Sequence, residues 1–269
     1  MLLGISSFTY TWAIGVPGYQ PERPKTAEDL LEEAVCQHLA LVQICDNLPL
    51  DRLPVKDLDA IERHAAFRGI GVEVGTRGIA SDHLRAYLRL AERFHSPFLR
   101  TITDTADHHP SEDEVVEMLK SVIPDFERAH ICLALENHDR FKVKTLVRIL
   151  ERIGSDYVGI CLDCANSFGA LEGPEAVVAV LGPWAVNLHV KDFVVQRAGS
   201  KMGFTIEGRP VGAGQMDIPW LLGAVRAYGR DLNAILEQWT PPEEMLAATI
   251  RKEDSWAKTS IEYLKKFIP

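Results

Sequence analysis

Residues Ile131–Asp163 read ICLALENHDRFKVKTLVRILERIGSDYVGICLD. This stretch decides the fold. Ile131–Leu135 is a short, continuous apolar run that stops at Glu136, the signature of a strand buried on both faces. Val143–Ile153 then carries apolar residues at three- and four-residue spacing and ends at Gly154, a helix with a glycine C-cap signal. Val158–Leu162 is a second apolar run and stops at Asp163. A helix between two buried strands makes the strands parallel, with a right-handed crossover. Their two terminal carboxylates therefore open on the same face.

The same unit repeats in both directions. Earlier strand-like runs are Leu2–Ser6, Leu39–Ile44, Gly71–Val74 and Phe98–Ile102; later ones are Ala185–Leu188 and Asn233–Leu236. Helical patterns separate them at Thr26–Cys36, Lys56–Phe67, Ser81–Phe94, Ser111–Ala129, Gly173–Leu181 and Ile218–Tyr228, and a last one follows at Glu253–Phe267. Thr26 and Ser111 open their helices as N-caps, with acids in the first turn after Ser111. Eight strand–helix units predict a single (β/α)8 TIM barrel over 1–269. An open doubly wound sheet is the main alternative. It commonly has a Gly-rich phosphate turn after its first strand, whereas that position here reads Ser6-Ser7-Phe8-Thr9-Tyr10.

Composition narrows the function. The chain has 269 residues, 46% hydrophobic and 25% charged, with a net charge of −9. An acidic chain argues against nucleic acid and against an anionic membrane surface. No apolar run reaches the roughly 20 residues of a membrane-spanning helix, and the first ten residues lack a secretory signal. Five cysteines, Cys36, Cys45, Cys132, Cys161 and Cys164, make an odd count. They read as reduced thiols in the cytoplasm. Cys161 and Cys164 form a C-x-x-C, but it ends a strand and has no second half, so it reads as two small buried side chains.

Four strand ends carry the chemistry: Glu136, Asp163, His189 and Glu237. Three carboxylates and one imidazole form an oxygen-rich site for one divalent ion. The set suits Mn²⁺, Mg²⁺ or Co²⁺ better than a structural Zn²⁺ site, although Zn²⁺ also fits. Glu136 and Glu237 come from strands five and eight, on opposite sides of the mouth. A metal between them binds a carbonyl and its neighbouring hydroxyl and stabilises an enediolate, while one glutamate takes the proton and the other returns it.

These residues resemble the sugar phosphate isomerase/epimerase group of xylose isomerase-like barrels. The similarity covers the whole chain and is strongest at LALENH (Leu133–His138), CLDCANS (Cys161–Ser167), NLHVKD (Asn187–Asp192), GRPVGAGQMD (Gly208–Asp217) and ILEQW (Ile235–Trp239). It implies that Glu136, Asp163, His189 and Glu237 hold the metal and that Glu136 and Glu237 move the proton. It implies a substrate-binding histidine three residues after the second ligand, where this chain has Asn166. It also implies a sugar-contacting arginine after the third ligand; Lys191, Arg197 and Arg209 are the cations on offer. The resemblance leaves the reaction open, because these barrels host isomerases, epimerases, dehydratases, decarboxylases and a repair nuclease.

Two stretches are too long for plain connections and are expected to cover the mouth. Phe8–Lys25 is aromatic, with Phe8, Tyr10 and Trp12; Phe193–Asp217 is rich in glycine. Trp12, His138 and Trp239 are candidate substrate contacts beside Asn166, Lys191 and Arg209. Arg77 and Arg100 could meet an anion. Arg100 lies inside a strand and needs a carboxylate partner such as Asp104. Asp192 should face away from the site, and Asp217 should cap a helix. The leading expectation is an isomerase or epimerase of a small keto-sugar. The alternative is a lyase that removes CO₂ from a 3-oxo sugar acid, a role also implied by the similarity of Ser7–Gly18 (SFTYTWAIGVPG) to barrels of apiose-type sugar acid breakdown. An abasic-site endonuclease ranks third, for want of further ligands and a basic groove, and a metal-free binding module, which would not need all four ligands, ranks fourth. A homo-oligomer is compatible with all of these.

Overall fold

The structure, a computed structural model, describes residues 1–230 and 232–268. Eight parallel strands close into a barrel. They are β1 (Leu3–Ser6), β2 (Leu41–Ile44), β3 (Gly71–Arg77), β4 (Phe98–Ile102), β5 (Cys132–Glu136), β6 (Val158–Asp163), β7 (Ala185–Val190) and β10 (Asn233–Leu236). Each pairs with its neighbours in chain order, and β10 closes onto β1. Apolar side chains on the outer face of the barrel pack against the helices in one continuous core. The inner face is different: Gln43, Glu73, Asn187 and Asn233 meet in the middle of the barrel and hydrogen-bond one another.

The helices follow the strands with few departures. The helix expected over Val143–Ile153 has those bounds, and its Gly154 is left-handed. Thr26 caps Ala27–Cys36 through a complete capping box, and Ser111 caps Glu112–Lys120 the same way. The helix expected over Ser111–Ala129 is two, Glu112–Lys120 and Ile123–Ala129. Pro124 lacks the N–H that a continuous helix would need there. The last helix, α10, spans Leu246–Leu264 and so starts seven residues before Glu253. Its added turns bury Thr249, a polar residue that apolar spacing does not register.

The main departure lies in the glycine-rich stretch. Phe193–Asp217 is not only a loop. It includes most of an antiparallel hairpin, β8 (Asp192–Arg197) and β9 (Phe204–Arg209), that stands outside the barrel sheet. Its apolar residues Phe204 and Ile206 are exposed, so neither periodicity nor burial marks it in the sequence. Asp192 anchors its return. The carboxylate accepts the N–H groups of Gly212 and Gly214 at 2.9 Å each and of Met216 at 3.0 Å. That is the structural role expected of it. Asp217 caps the following helix by accepting from Trp220 N at 2.9 Å.

Candidate active site

Strand alternation puts the site together. Asp163 on β6 pairs in register with His189 on β7, after an irregularity between Ile160 and Cys161 that takes up one extra residue of β7. Such bulges re-aim side chains at strand ends. Glu136 ends β5, and Glu237 follows β10, its N–H still bonded to Val190 O at 3.0 Å. Lys191 lies two residues after His189 and faces the same way. All five side chains are buried.

His189 stands at the centre. Its Nδ1 lies 3.4 Å from Glu237 Oε2, 3.5 Å from Glu136 Oε2 and 3.7 Å from Asp163 Oδ2. Yet Nδ1 is buried and has no hydrogen-bond partner. Its other nitrogen, Nε2, is 2.7 Å from Gln43 Oε1. With that bond fixing the proton on Nε2, the Nδ1 lone pair points among three carboxylates. An orphaned imidazole nitrogen facing carboxylate oxygens is what a divalent cation would satisfy, so the residues present fit the metal that the ligand set implies. Asp163, His189 and Glu237 offer atoms within 4.8 Å of one another, and Glu136, Cys161 and His189 do the same.

Two full cations hold the carboxylates. Lys191 Nζ bonds Asp163 Oδ2, Glu237 Oε2 at 2.9 Å and Asn166 Oδ1 at 3.2 Å. Arg100 Nε donates to Glu136 Oε2 at 2.5 Å, and its Nη1 to Asp46 Oδ1 at 2.8 Å. Arg100 is thus paired as a buried arginine must be, but with Glu136 and Asp46; Asp104 instead pairs with Arg140. The strand neighbour of Arg100 is Gly75. A Cβ there would sit 3.3 Å from Arg100 Cδ and 2.7 Å from Cys45 Sγ, so the glycine clears the path of the arginine. Asn166 Nδ2 donates to Glu136 Oε1 at 2.6 Å, and Ser6 Oγ to Glu237 Oε1 at 3.0 Å. Both oxygens of each glutamate are therefore engaged.

The electrostatics follow from burial and these pairs. Burial would raise the Asp163 carboxyl, but Lys191 and His189 hold it well below the usual range. Burial would likewise raise Glu237, and His189, Lys191 and Arg100 outweigh it. Burial would lower His189 and Lys191; the surrounding carboxylates lift both. The thiols are inert by the same logic: burial pushes Cys164 up to about 12 and Cys161 well above its ordinary value. All five cysteines are free, and the C-x-x-C holds no disulfide.

A cavity of about 560 Å³ opens over this cluster, with Glu136, Asn166, Lys191 and Glu237 on its floor. Phe8, Trp12 and Trp239 line its walls, together with Arg77, Arg100 and His138. Lys191 Nζ is 5.5 Å from the centre of the Trp239 ring. Trp12 donates its indole N–H to Thr240 O at 2.8 Å. Both long stretches reach the cavity, the first through Phe8 and Trp12, the second through Ile206 to Gly208. Two expected contacts fall elsewhere. Tyr10 is buried in the core. Arg209 is absent from the cavity lining; its guanidinium is spent along the hairpin on Gly208 O at 2.7 Å and Glu207 Oε2 at 3.2 Å. Ser6, Gln43 and Asp46 went unnoticed in the sequence. Strand parity alone could have marked Ser6 and Gln43 as inward-facing.

An eight-stranded parallel barrel with a buried acid–histidine cluster at the C-terminal mouth defines a class of barrel enzymes. The chain belongs to the xylose isomerase-like TIM barrel family, whose model matches residues 76–267. A 3-oxo-isoapionate decarboxylase of Pectobacterium atrosepticum is 35% identical over 266 residues, covering 98% of this chain and 95% of the relative. Among solved structures, a D-psicose 3-epimerase determined in the presence of D-fructose superposes with a TM-score of 0.74 at 13% identity, over 100% of this chain and 99% of the other. A xylose isomerase-like barrel from Mycobacterium smegmatis in complex with magnesium gives 0.71 at 13% identity, covering 98% and 97%. At such low identity these two structures speak for the fold. No helix among the described residues is long and apolar enough to cross a membrane.

Proposed function

We propose that the protein is a metal-dependent decarboxylase of a 3-oxo sugar acid, acting in the cytoplasm. Isomerisation or epimerisation of a keto-sugar moves to second place. The observation that carries this order is Lys191, buried among Asp163, Asn166 and Glu237. Four carboxylates, Glu136, Asp163, Glu237 and Asp46, face three full cations, Lys191, Arg100 and Arg77. A divalent ion held by Glu136, Asp163, His189 and Glu237 would leave one positive charge in excess. A substrate carboxylate cancels that excess, whereas a neutral ketose leaves it buried and uncompensated, which is costly. The 35% identity to a 3-oxo-isoapionate decarboxylase supports the same order.

When bound, Mn²⁺, Mg²⁺ or Co²⁺ supplies Lewis-acid stabilisation of negative charge on the substrate oxygens. The chain does the rest. The bond to the carboxylate breaks, CO₂ leaves, and the electron pair spreads over the former keto oxygen as an enediolate. Lys191 and Arg100 stand at the cavity floor and wall to offset that charge. The proton returned to carbon comes from the Lys191–Glu237 pair, whose Nζ and Oε2 are 2.9 Å apart. One proton donor is enough. Epimerisation needs a second proton-carrying group on the opposite face, and Glu136 is held there by Asn166 and by Arg100, which does not give up a proton. Phe8, Trp12 and Trp239 wall the cavity against water. Metal-loaded protein incubated with 3-oxo sugar acids in D₂O should release CO₂ and place deuterium on the product carbon. Turnover of a ketose with mass conserved, and no CO₂ from any 3-oxo acid, would restore the epimerase reading.

A further inference from the structure

Glu253 lies outside the acid–histidine cluster, on the last helix (Leu246–Leu264), and is 1% exposed. Its two oxygens are spent on the backbone of the aromatic stretch. Oε1 accepts from Trp12 N at 2.9 Å and Oε2 from Ala13 N at 3.0 Å. Those amides open the four-residue helix Thr11–Ile14 and have no helical partners of their own. Trp12 is held twice more, by its indole bond to Thr240 O and by an edge-on contact with Tyr19 at 5.6 Å. The Glu253 backbone is tied to the strand that ends at the site: Gln238 Nε2 donates both to Glu253 O and to Thr9 O at 2.9 Å. Glu253 thus joins the last helix to the wall of the cavity through its carboxylate, and to the residue that follows Glu237 through its backbone carbonyl.

We infer that Glu253 is a positioning residue that sets Trp12 over the substrate, and that its charge state decides how firmly this wall is held. As a carboxylate it accepts both amides; once protonated, one oxygen becomes a donor facing an N–H, and one of the two bonds is lost. Burial raises Glu253 to about 7, against the opposing pull of the two amides and Lys25. The other titratable groups around it are Asp254 on the same helix and Tyr10, which in turn feels Glu33 and Cys36 of the helix Ala27–Cys36. Lys25 pairs with Glu33 at 2.8 Å and lies over the Tyr10 ring at 4.8 Å. The Trp12 wall should therefore loosen as pH falls through neutrality.

The effect on turnover rests on the proposed reaction; the position of Trp12 does not. The test uses the full chain labelled with 5-fluorotryptophan, with the Trp12 fluorine signal assigned by its loss in Trp12→Phe. In the wild type that signal should titrate with a midpoint near 7, without substrate or metal. In Glu253→Gln the titration should vanish. With the sugar acid as substrate, KM of the variant at pH 8 should rise by about 2- to 12-fold, one neutral hydrogen bond's worth, with kcat nearly unchanged. Should Glu253→Gln fail to fold, Lys25→Met removes the nearest cation and should move the midpoint upward. A Trp12 signal that does not titrate, or that titrates alike in wild type and both variants, overturns the proposal.

Discussion

The barrel interior holds two polar clusters, one above the other, and they contrast sharply. The lower one joins Glu73 to Gln43, Asn187 and Asn233. Both oxygens of Glu73 accept from side-chain amides, at 2.7–3.3 Å. Burial lifts its carboxyl above the usual range and the amides oppose that shift; both oxygens of Glu73 have partners. The upper one crowds three carboxylates around Lys191, Arg100 and a histidine whose Nδ1 has no partner. Both clusters are built from inward-facing strand positions, with β7 and β10 contributing to each, yet the lower one is satisfied and the upper one is not. A polar cluster that closes on itself holds a barrel together. One that leaves a buried atom open is built to receive something. Gln43 links the two, meeting Glu73 below and His189 above.

The sharpest way to break this contrast is to remove a group from each level. Glu237→Gln in the upper cluster should lower kcat by about 10²–10⁴, the usual cost of a missing general acid–base. Chelation should abolish activity and a divalent ion should restore it. Full turnover in metal-free protein would end the metal reading.

Lys191→Met should come next. It removes a share of the proton-returning pair together with a charge-assisted contact to the sugar acid, and the contact alone costs about 1.5–3 kcal/mol in kcat/KM. Turnover of any neutral ketose should suffer less. Equal losses on acid and ketose would remove the argument from charge balance.

Glu73→Gln should reverse the pattern. It puts an amide N–H against another donor, a cost of about 1–3 kcal/mol in stability, with kcat little changed in the folded fraction. The wild type should also show a pH signature. The folded-state value of Glu73 is raised above that of the unfolded chain, so folding takes up a proton between the two. Stability therefore falls as pH rises from the unfolded value through the raised one. Melting scans across that window should slope downward in the wild type and less so in the variant. A steeper slope in the variant would contradict the assignment.

The smallest effect belongs to Arg209→Ala. Its guanidinium is spent on the hairpin, so kcat/KM should stay within about twofold, as for ordinary surface substitutions. A large rise in KM would mean that the hairpin swings Arg209 into the cavity.

The sequence by itself determined the barrel and the four strand-end residues, for a physical reason. Parallel strands buried on both faces must be apolar, so their ends show as the first polar residue after each run: Glu136, Asp163, and His189 after Leu188. The interval of two from His189 to Lys191 already placed both on one face. What only the tertiary structure decided is pairing across strands. Arg100 could not reveal from the sequence that it would meet Glu136 and Asp46 and leave Asp104 to Arg140, because those contacts depend on barrel tilt and register. The hairpin was illegible because its apolar residues lie exposed and its strands pair only with each other. Glu253 looked like an ordinary helical glutamate. Only the fold brings it against the amides of Trp12 and Ala13, some 240 residues away, because hydrogen bonds between distant segments leave no periodic mark on the chain.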